Sequence, residues 1–232
     1  MKLNQKCLCT NCNVFSSSLF SRLRNEDVKK LHELKTFHFF NRGEIIFHQE
    51  SPCLGVFCME SGSVKLYTQE EDGREIINKI QKGGDILGHT GLFGKQQYIE
   101  SAKALEPTKC CFIDSTSMKE VLANSSTLMT DLILKMSQDL IESNAKTADM
   151  VRKNVRERLA TYILKMSETA GESQNFKLQL SREEMASLLG TAHETVIRCI
   201  SEFKELGYIA EKNRVLYVLK KDSLQNLGRY HP

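Results

Sequence analysis

The spacing of apolar positions changes along the chain, and each change predicts a different kind of structure. Val28, Leu31 and Leu34 recur at helical intervals behind Asn25, which is placed to cap a short helix. From Phe37 to Asp114 the period shortens. The runs FHFF, EIIFHQ, GVFCMESG, VKLYT, EIINKI, DILG and KCCFI alternate with turn signals at Arg42-Gly43, Ser61-Gly62, Asp72-Gly73, Gly83-Gly84 and Gly91. Short strands at this spacing predict a small sandwich or barrel.

After Ser115 the helical period returns. Met129, Ile133, Met136, Leu140, Ser143, Thr147 and Met150 follow one another in steps of four and three, the period of a coiled-coil seam. Gly and Pro are absent from Asn124 to Ala170, so a long helix is expected. One small β-domain cannot cover all of that seam, and a second copy of the chain is the natural partner. A core-facing stripe within one chain is the alternative, and Leu128 and Leu132 are expected to serve the core from another face. A further helix is predicted from about Val155 to Thr169, then a loop over Gly171 to Asn175 and a short strand at FKLQL.

Next, Ser181 and Glu184 have the spacing of a capping box that opens a helix carrying Met185, Leu188 and Leu189. Ala186 allows a second helix to approach, and Gly190 allows the tight turn between them. Thr191 is placed to cap that second helix, whose core positions are Val196, Ile200 and Phe203. A two-stranded wing follows, IAEKN and RVLYVL, with its turn near Lys212 to Arg214. These features predict a winged helix-turn-helix. Its second helix would then offer His193, Glu194, Thr195, Ile197 and Arg198 to the major groove. Arg can grip guanine O6 and N7, Glu can accept from cytosine N4, and an aliphatic side chain such as Ile197 can meet a thymine methyl. Two plainer arrangements compete. Glu194 lies three residues after Thr191 and fits a capping box, and Glu194 and Arg198 are four apart and fit a surface ion pair.

Composition narrows the setting. The chain has 232 residues, enough for two small domains. The formal net charge of +3 is too small to argue for nucleic acid by itself. The beginning of the chain has no apolar run of signal-peptide length, and no stretch is long enough to span a bilayer, so a cytoplasmic, membrane-free protein is expected. In that compartment the eight cysteines are expected to be thiols or metal ligands rather than disulfides. No Ser-His-Asp set, phosphate loop or paired catalytic carboxylates has telling spacing, and no enzymatic activity is expected.

Taken together, NRGEIIFHQE, MESGSVKLY, KGGDILG, ESAKALEP, VRERLATYIL and LSREEMASLLGTAHETVIRCISEF resemble the Crp/Fnr regulators over nearly the whole chain. The resemblance implies an α+β protein. Its parts would be a Cys-containing arm over 1–24, a cyclic-nucleotide-binding-like β-roll (jelly roll) over 25–115, a dimerisation helix over 116–152 and a winged helix-turn-helix over 153–232. It also implies a homodimer on double-stranded DNA with palindromic TGA-containing half-sites, Glu194 and Arg198 as base readers, and RNA polymerase as a partner.

The sensor resembles the oxygen-sensing, fumarate and nitrate reduction branch more than the cyclic-AMP branch. Where the cyclic-AMP branch has a Glu after the turn glycine and an Arg-Ser pair for the phosphate, this chain has His89 after Gly88 and Glu100 before Ser101. A carboxylate in place of the Arg repels a phosphate, so cyclic AMP is not expected in the usual mode. Cys9, Cys12 and Cys111 fall on cysteine positions that hold a [4Fe–4S] cluster in the oxygen-sensing branch; a further position falls on Ser18, and Cys7 is the candidate replacement. The resemblance thus offers Cys7, Cys9, Cys12 and Cys111 as ligands. Free thiols, a zinc site, a cluster-free β-roll that is empty or takes another ligand, and a redox or metal-binding protein whose helix-turn-helix contacts other proteins all stay open. Cys53, Cys58, Cys110 and Cys199 are expected to be small buried apolar side chains.

Overall fold

The computed structural model describes residues 9–169 and 175–228. The chain divides into two compact units, residues 1–140 and 141–232, with the division inside one helix.

The first unit is built on two four-stranded antiparallel sheets. One has the order β1 (Thr36–Phe40), β8 (Thr108–Asp114), β3 (Gly55–Ser61), β6 (Ile86–Leu87). The other has the order β2 (Ile45–Phe47), β7 (Ser101–Ala104), β4 (Ser63–Gln69), β5 (Glu75–Lys82). Phe57, Met59, Leu87 and Cys110 from the first sheet pack with Phe47, Val64, Leu66 and Ala102 from the second. This is the sandwich core expected from the strand periodicity. The tight β3–β4 turn requires Gly62, whose φ is +92° and whose missing Cβ would lie 2.4 Å from Thr108 Oγ1. Sequence reading missed β7, which lies within ESAKALEP, and the short helix α2 (His89–Phe93), which contains Gly91 where a turn was expected.

Strand alternation gives the first sheet a second apolar face. Val56 on β3 and Ile113 on β8 point away from the sandwich and pack under α1 (Asn25–Leu34), α3 (Ser115–Asn124) and the start of α4 (Ser126–Arg152). Two short 3₁₀ turns of the arm, Cys9–Asn11 and Phe15–Ser17, join that layer through Cys9 and Phe15. The cap of α1 is Arg24, whose side chain pairs with Asp27 rather than capping the backbone, and Asn25 is already helical. The expected dimerisation helix over 116–152 is also two helices. Ser125 has extended backbone, and its Oγ accepts from the Leu128 N–H, so α4 starts afresh there.

The second unit contains α5 (Val155–Thr169), α6 (Arg182–Leu189), α7 (His193–Glu205), α8 (Lys221–Gly228) and a three-stranded sheet. The sheet order is β10 (Ile209–Lys212), β11 (Val215–Val218), β9 (Asn175–Lys177). Thus the strand expected at FKLQL is displaced toward Asn175. Leu159, Ile163, Met185, Ile200, Phe203, Leu216 and Leu224 are among the buried apolar residues of this unit.

Candidate functional site

The α6–α7 pair is shaped by local bonds. Ser181 accepts from the Glu184 N–H and Glu184 reaches back to the Ser181 N–H, completing the expected capping box. Gly190 ends α6 in the left-handed region at φ +62°. The cap of α7 is Ala192 rather than Thr191, with no side-chain bond; the Thr191 N–H is used to satisfy the Ala186 carbonyl at the end of α6.

Val196, Cys199, Ile200 and Phe203 form the buried face of α7. On the opposite face Glu194, Ile197 and Arg198 are exposed, and His193 and Thr195 are half-buried. Ile197 keeps 43% of its surface in solvent, although it is aliphatic. Among the described residues, no ion pair joins Glu194 to Arg198, and the cap position makes no box with Glu194. Both plainer uses of these side chains are therefore unmet. A carboxylate, an aliphatic group and a guanidinium remain side by side, which is a set that can address base edges.

Neighbouring charges hold this face in place. Arg158 on α5 donates to the carbonyls of Leu189 (2.9 Å) and Gly190 at the end of α6, and to Lys153 (2.6 Å) and Met150 at the end of α4. Arg182 on α6 makes a two-oxygen pair with Glu211 of β10, and Lys204 on α7 lies 3.5 Å from the same carboxylate. The wing turns at Asn213 and Arg214, both at positive φ, and the Arg214 guanidinium donates to the Leu178 and Leu180 carbonyls. Arg158 escaped sequence reading because its role depends on two helix ends distant in the chain.

The seam residues have mixed surroundings. Ile133, Met136 and Leu140 are exposed, as are Ser143 and Thr147. Met129 is half-buried against the apolar layer under the arm, and the Met150 sulfur would lie 3.0 Å from a Cβ at Gly190, so these two have partners within the chain. Leu134 and Ile141 are exposed beside the seam.

The arm and the first sheet enclose a cleft with about 530 Å³ of empty space, counting its mouth. Cys9, Cys12, Cys58 and Cys111 line it, with Phe15, Leu31, Lys35 and Ile86. Cys7 lies outside the described residues. Cys58 departs from its expected role as a buried apolar residue: it is half-buried and faces the cleft. Lys35 Nζ is 3.1 Å from Cys9 Sγ. Burial raises the Cys111 thiol to about 11, helped by Cys9, Glu60 and Cys12 and opposed by Lys35. Cys110, on the sandwich side of β8, is pushed up to about 12, chiefly by burial. Among the described residues, no three His, Cys, Asp or Glu side chains are gathered tightly enough for a single metal ion. Tetrahedral zinc, with Zn–S near about 2.3 Å, requires such a cluster. An iron–sulfur cube holds its thiolates farther apart, and four cysteines are its usual donor set.

A charged network joins β5, α2 and α4 around His89 and Glu100. His89 is 5% exposed, and its Nε2 lies 3.1 Å from Asp139 Oδ2. Asp139 also pairs with Lys79 and Lys135, and Lys135 reaches Asp85. Glu100 accepts from Asn78, and burial raises its carboxyl, with nearby Asp139 adding to the rise. Burial opposes the charged form of Asp139, but the His89 and Lys79 bonds and the Lys135 and Lys79 charges outweigh it. The carboxyl is held well below its ordinary 3.8. Its contribution to stability is therefore present above the unfolded value and lost as pH falls through the lower folded value. Asp139→Asn is expected to cost about 1–3 kcal/mol near neutrality. In urea titrations from pH 7 down to pH 2, the wild-type advantage should shrink below about pH 4. A constant difference across that range would contradict this assignment.

Residues 37–125 match the cyclic nucleotide-binding domain, and residues 157–227 match the Crp-like helix-turn-helix domain. The chain is 28% identical to the transcriptional activator protein Anr of Pseudomonas aeruginosa, over 94% of this chain and 90% of that protein. It is 23% identical to the fumarate and nitrate reduction regulatory protein of Escherichia coli, over 95% and 90%. The chain belongs to the Crp/Fnr family. Among solved structures, FixK2 of Bradyrhizobium japonicum superimposes on this Crp/Fnr chain with a TM-score of 0.78 and 23% identity, covering 85% of this chain and 99% of that one. The domain order of the family, a cyclic-nucleotide-type β-sandwich followed by a helix-turn-helix, is the order found here. This Crp/Fnr chain is a transcription regulator with a DNA-binding helix-turn-helix. No helix among the described residues is long and apolar enough to cross a membrane.

Proposed function

We propose that this Crp/Fnr regulator acts as a homodimer on palindromic, TGA-containing DNA and that its thiol cleft carries a [4Fe–4S] cluster as the signal-sensing group. The observation that carries the DNA reading is the open face of α7, where Glu194, Ile197 and Arg198 are exposed with no ion pair between the two charges. Arg198 reads guanine, Glu194 accepts from cytosine and Ile197 contacts a thymine methyl. His193 and Thr195, at the start of the helix, contact the adjoining backbone. A second copy covers the exposed Ile133, Met136 and Leu140 of α4, with Ser143 and Thr147 continuing the seam, and so sets the half-site separation. Met129 and Met150 contribute from its ends.

The cleft supports the cluster reading through its donor set: several thiols share one largely apolar cleft, with the Lys35 ammonium to offset thiolate charge. When bound, the cluster supplies iron–sulfide bonds that oxygen or nitric oxide attacks. The chain's part is to hold the arm against β3 and β8, keep water out with Phe15, Leu31 and Ile86, and couple arm position to α4 through the shared apolar layer. Glu100 and the Asp139 network favour a β-roll that does not use cyclic AMP in the usual mode. The Pseudomonas relative, named a transcriptional activator, favours regulation as an activator, and RNA polymerase is the partner that the family resemblance implies.

Iron and sulfide analysis of protein purified without oxygen, combined with fluorescence anisotropy on a TGA palindrome before and after exposure to air, tests both parts. Coloured, iron-containing protein whose specific DNA binding falls in air is expected. Specific binding by iron-free protein would retain the DNA reading and remove the cluster. A chain that ignores the palindrome under both conditions would end the DNA reading.

A further inference from the structure

The cleft contains a thiol that the arm-based ligand set leaves out. On β3, Val56 and Cys58 face the arm side, while Phe57 and Met59 face the sandwich. On β8, Cys111 lines the cleft and Ile113 packs under the arm, while Cys110 joins the sandwich core. Cys58 and Cys111 are direct cross-strand partners, so their Cβ atoms lie about 4.5–5.5 Å apart on one face. Cys9 and Cys12 approach the same cleft from the arm.

Ser18 also lines the cleft, but its hydroxyl is committed to local backbone: it donates to the Phe15 carbonyl at 2.8 Å and accepts from the Phe20 N–H at 3.3 Å. Those bonds hold the turn after the second 3₁₀ segment. The arm therefore brings two described thiols to the cleft, and the sheet brings the other two.

We propose that Cys58 is a cluster ligand, so that the donor set is Cys9 and Cys12 from the arm and Cys58 and Cys111 from adjacent strands. The inference rests on the cluster reading above and changes its chemistry in one respect. Two of the donors would sit on hydrogen-bonded strands and two on the arm, so a bound cluster would tie Cys9–Asn11 to β3 and β8. Lys35, beside Cys9, supplies positive charge at the arm side.

The test is anaerobic reconstitution of the full chain with ferrous iron and sulfide. Iron, acid-labile sulfide, visible absorbance and the electron paramagnetic resonance of the reduced protein are the readouts. Wild type and Cys7→Ala are expected to hold about four irons per chain, and Cys58→Ala fewer than about one. Cys58→Ala combined with Ser18→Cys is expected to recover the iron, because it returns a thiol to the same cleft; a misfolded protein would not be rescued this way. Cys58→Ser, close in size, is expected to keep the fold by circular dichroism yet alter the resonance signal. Full iron and an unchanged signal in both Cys58 variants, or loss of iron in Cys7→Ala, would overturn the assignment while leaving the cluster reading intact. A wild type that takes up no iron would remove both.

Discussion

Arg198→Ala is expected to weaken binding to a TGA-containing palindrome by roughly 30-fold to 10⁴-fold while leaving thermal unfolding and self-association unchanged. A bidentate guanine contact discriminates by about 1–3 kcal/mol, and a two-fold complex loses it twice, giving about 2–6 kcal/mol in all. Each 1.4 kcal/mol is about tenfold in affinity. The stability half of the expectation follows from exposure: Arg198 lies on the open face of α7, outside the Val196–Phe203 core and with no ion pair to Glu194. Surface changes of that kind usually stay within about 0.5 kcal/mol. Anisotropy titrations at fixed salt should use the palindrome and a duplex with its guanines replaced. The wild type should prefer the first, and Arg198→Ala should keep only the smaller preference that Glu194 supplies through the paired cytosine. Equal loss on both duplexes would make Arg198 a phosphate contact instead, and unchanged binding would remove it from the interface.

The reading of α7 came from the residues themselves. A 3.6-residue period assigns Val196, Ile200 and Phe203 to the core, which leaves Glu194, Ile197 and Arg198 on the other side. The β-sandwich was legible for a similar reason: strand alternation and positive-φ glycines such as Gly62 are local signals. What stayed hidden depends on tertiary contacts. Ser125 breaks a stretch free of Gly and Pro because its hydroxyl can cap α4, and only the strand-to-helix packing on either side determines that the chain turns there. Cys58 looked like an ordinary small core residue because its face of β3 acquires a cleft only when the arm folds over it. Its register partner Cys111 is more than fifty positions away in the chain, beyond any local spacing rule. Met129 and Met150 fit the heptad spacing equally well, yet each finds a contact inside the chain.

Arg158 is the clearest case of a functional support that spacing cannot reveal, and Arg158→Ala is expected to destabilise the second unit by about 2–4 kcal/mol. Helices leave their last carbonyls without intrahelical donors, and those ends carry partial negative charge. One guanidinium here serves two such ends. Its short bonds reach Lys153 just beyond α4 and Leu189 at the end of α6, and longer ones reach Met150 and Gly190. Hydrogen bonds from a charged donor contribute about 1.5–3 kcal/mol each. The Nη2 end is exposed, so water replaces part of what is lost and the sum falls below the simple total. For a unit of under 100 residues this corresponds to a midpoint about 8–20 °C lower. Lysine offers a compact point charge in place of the planar fork, so Arg158→Lys should recover less than half of the loss. Calorimetry should place the change in the transition of residues 141–232, with the sandwich transition unmoved. DNA affinity should decline as temperature approaches the lowered midpoint, because the turn between α6 and α7 loses its brace, whereas Arg198→Ala is defective at every temperature. A melting curve identical to wild type would show that solvent satisfies those carbonyls equally well, and would leave the α6–α7 turn to Gly190 and the backbone bond from Thr191 to Ala186.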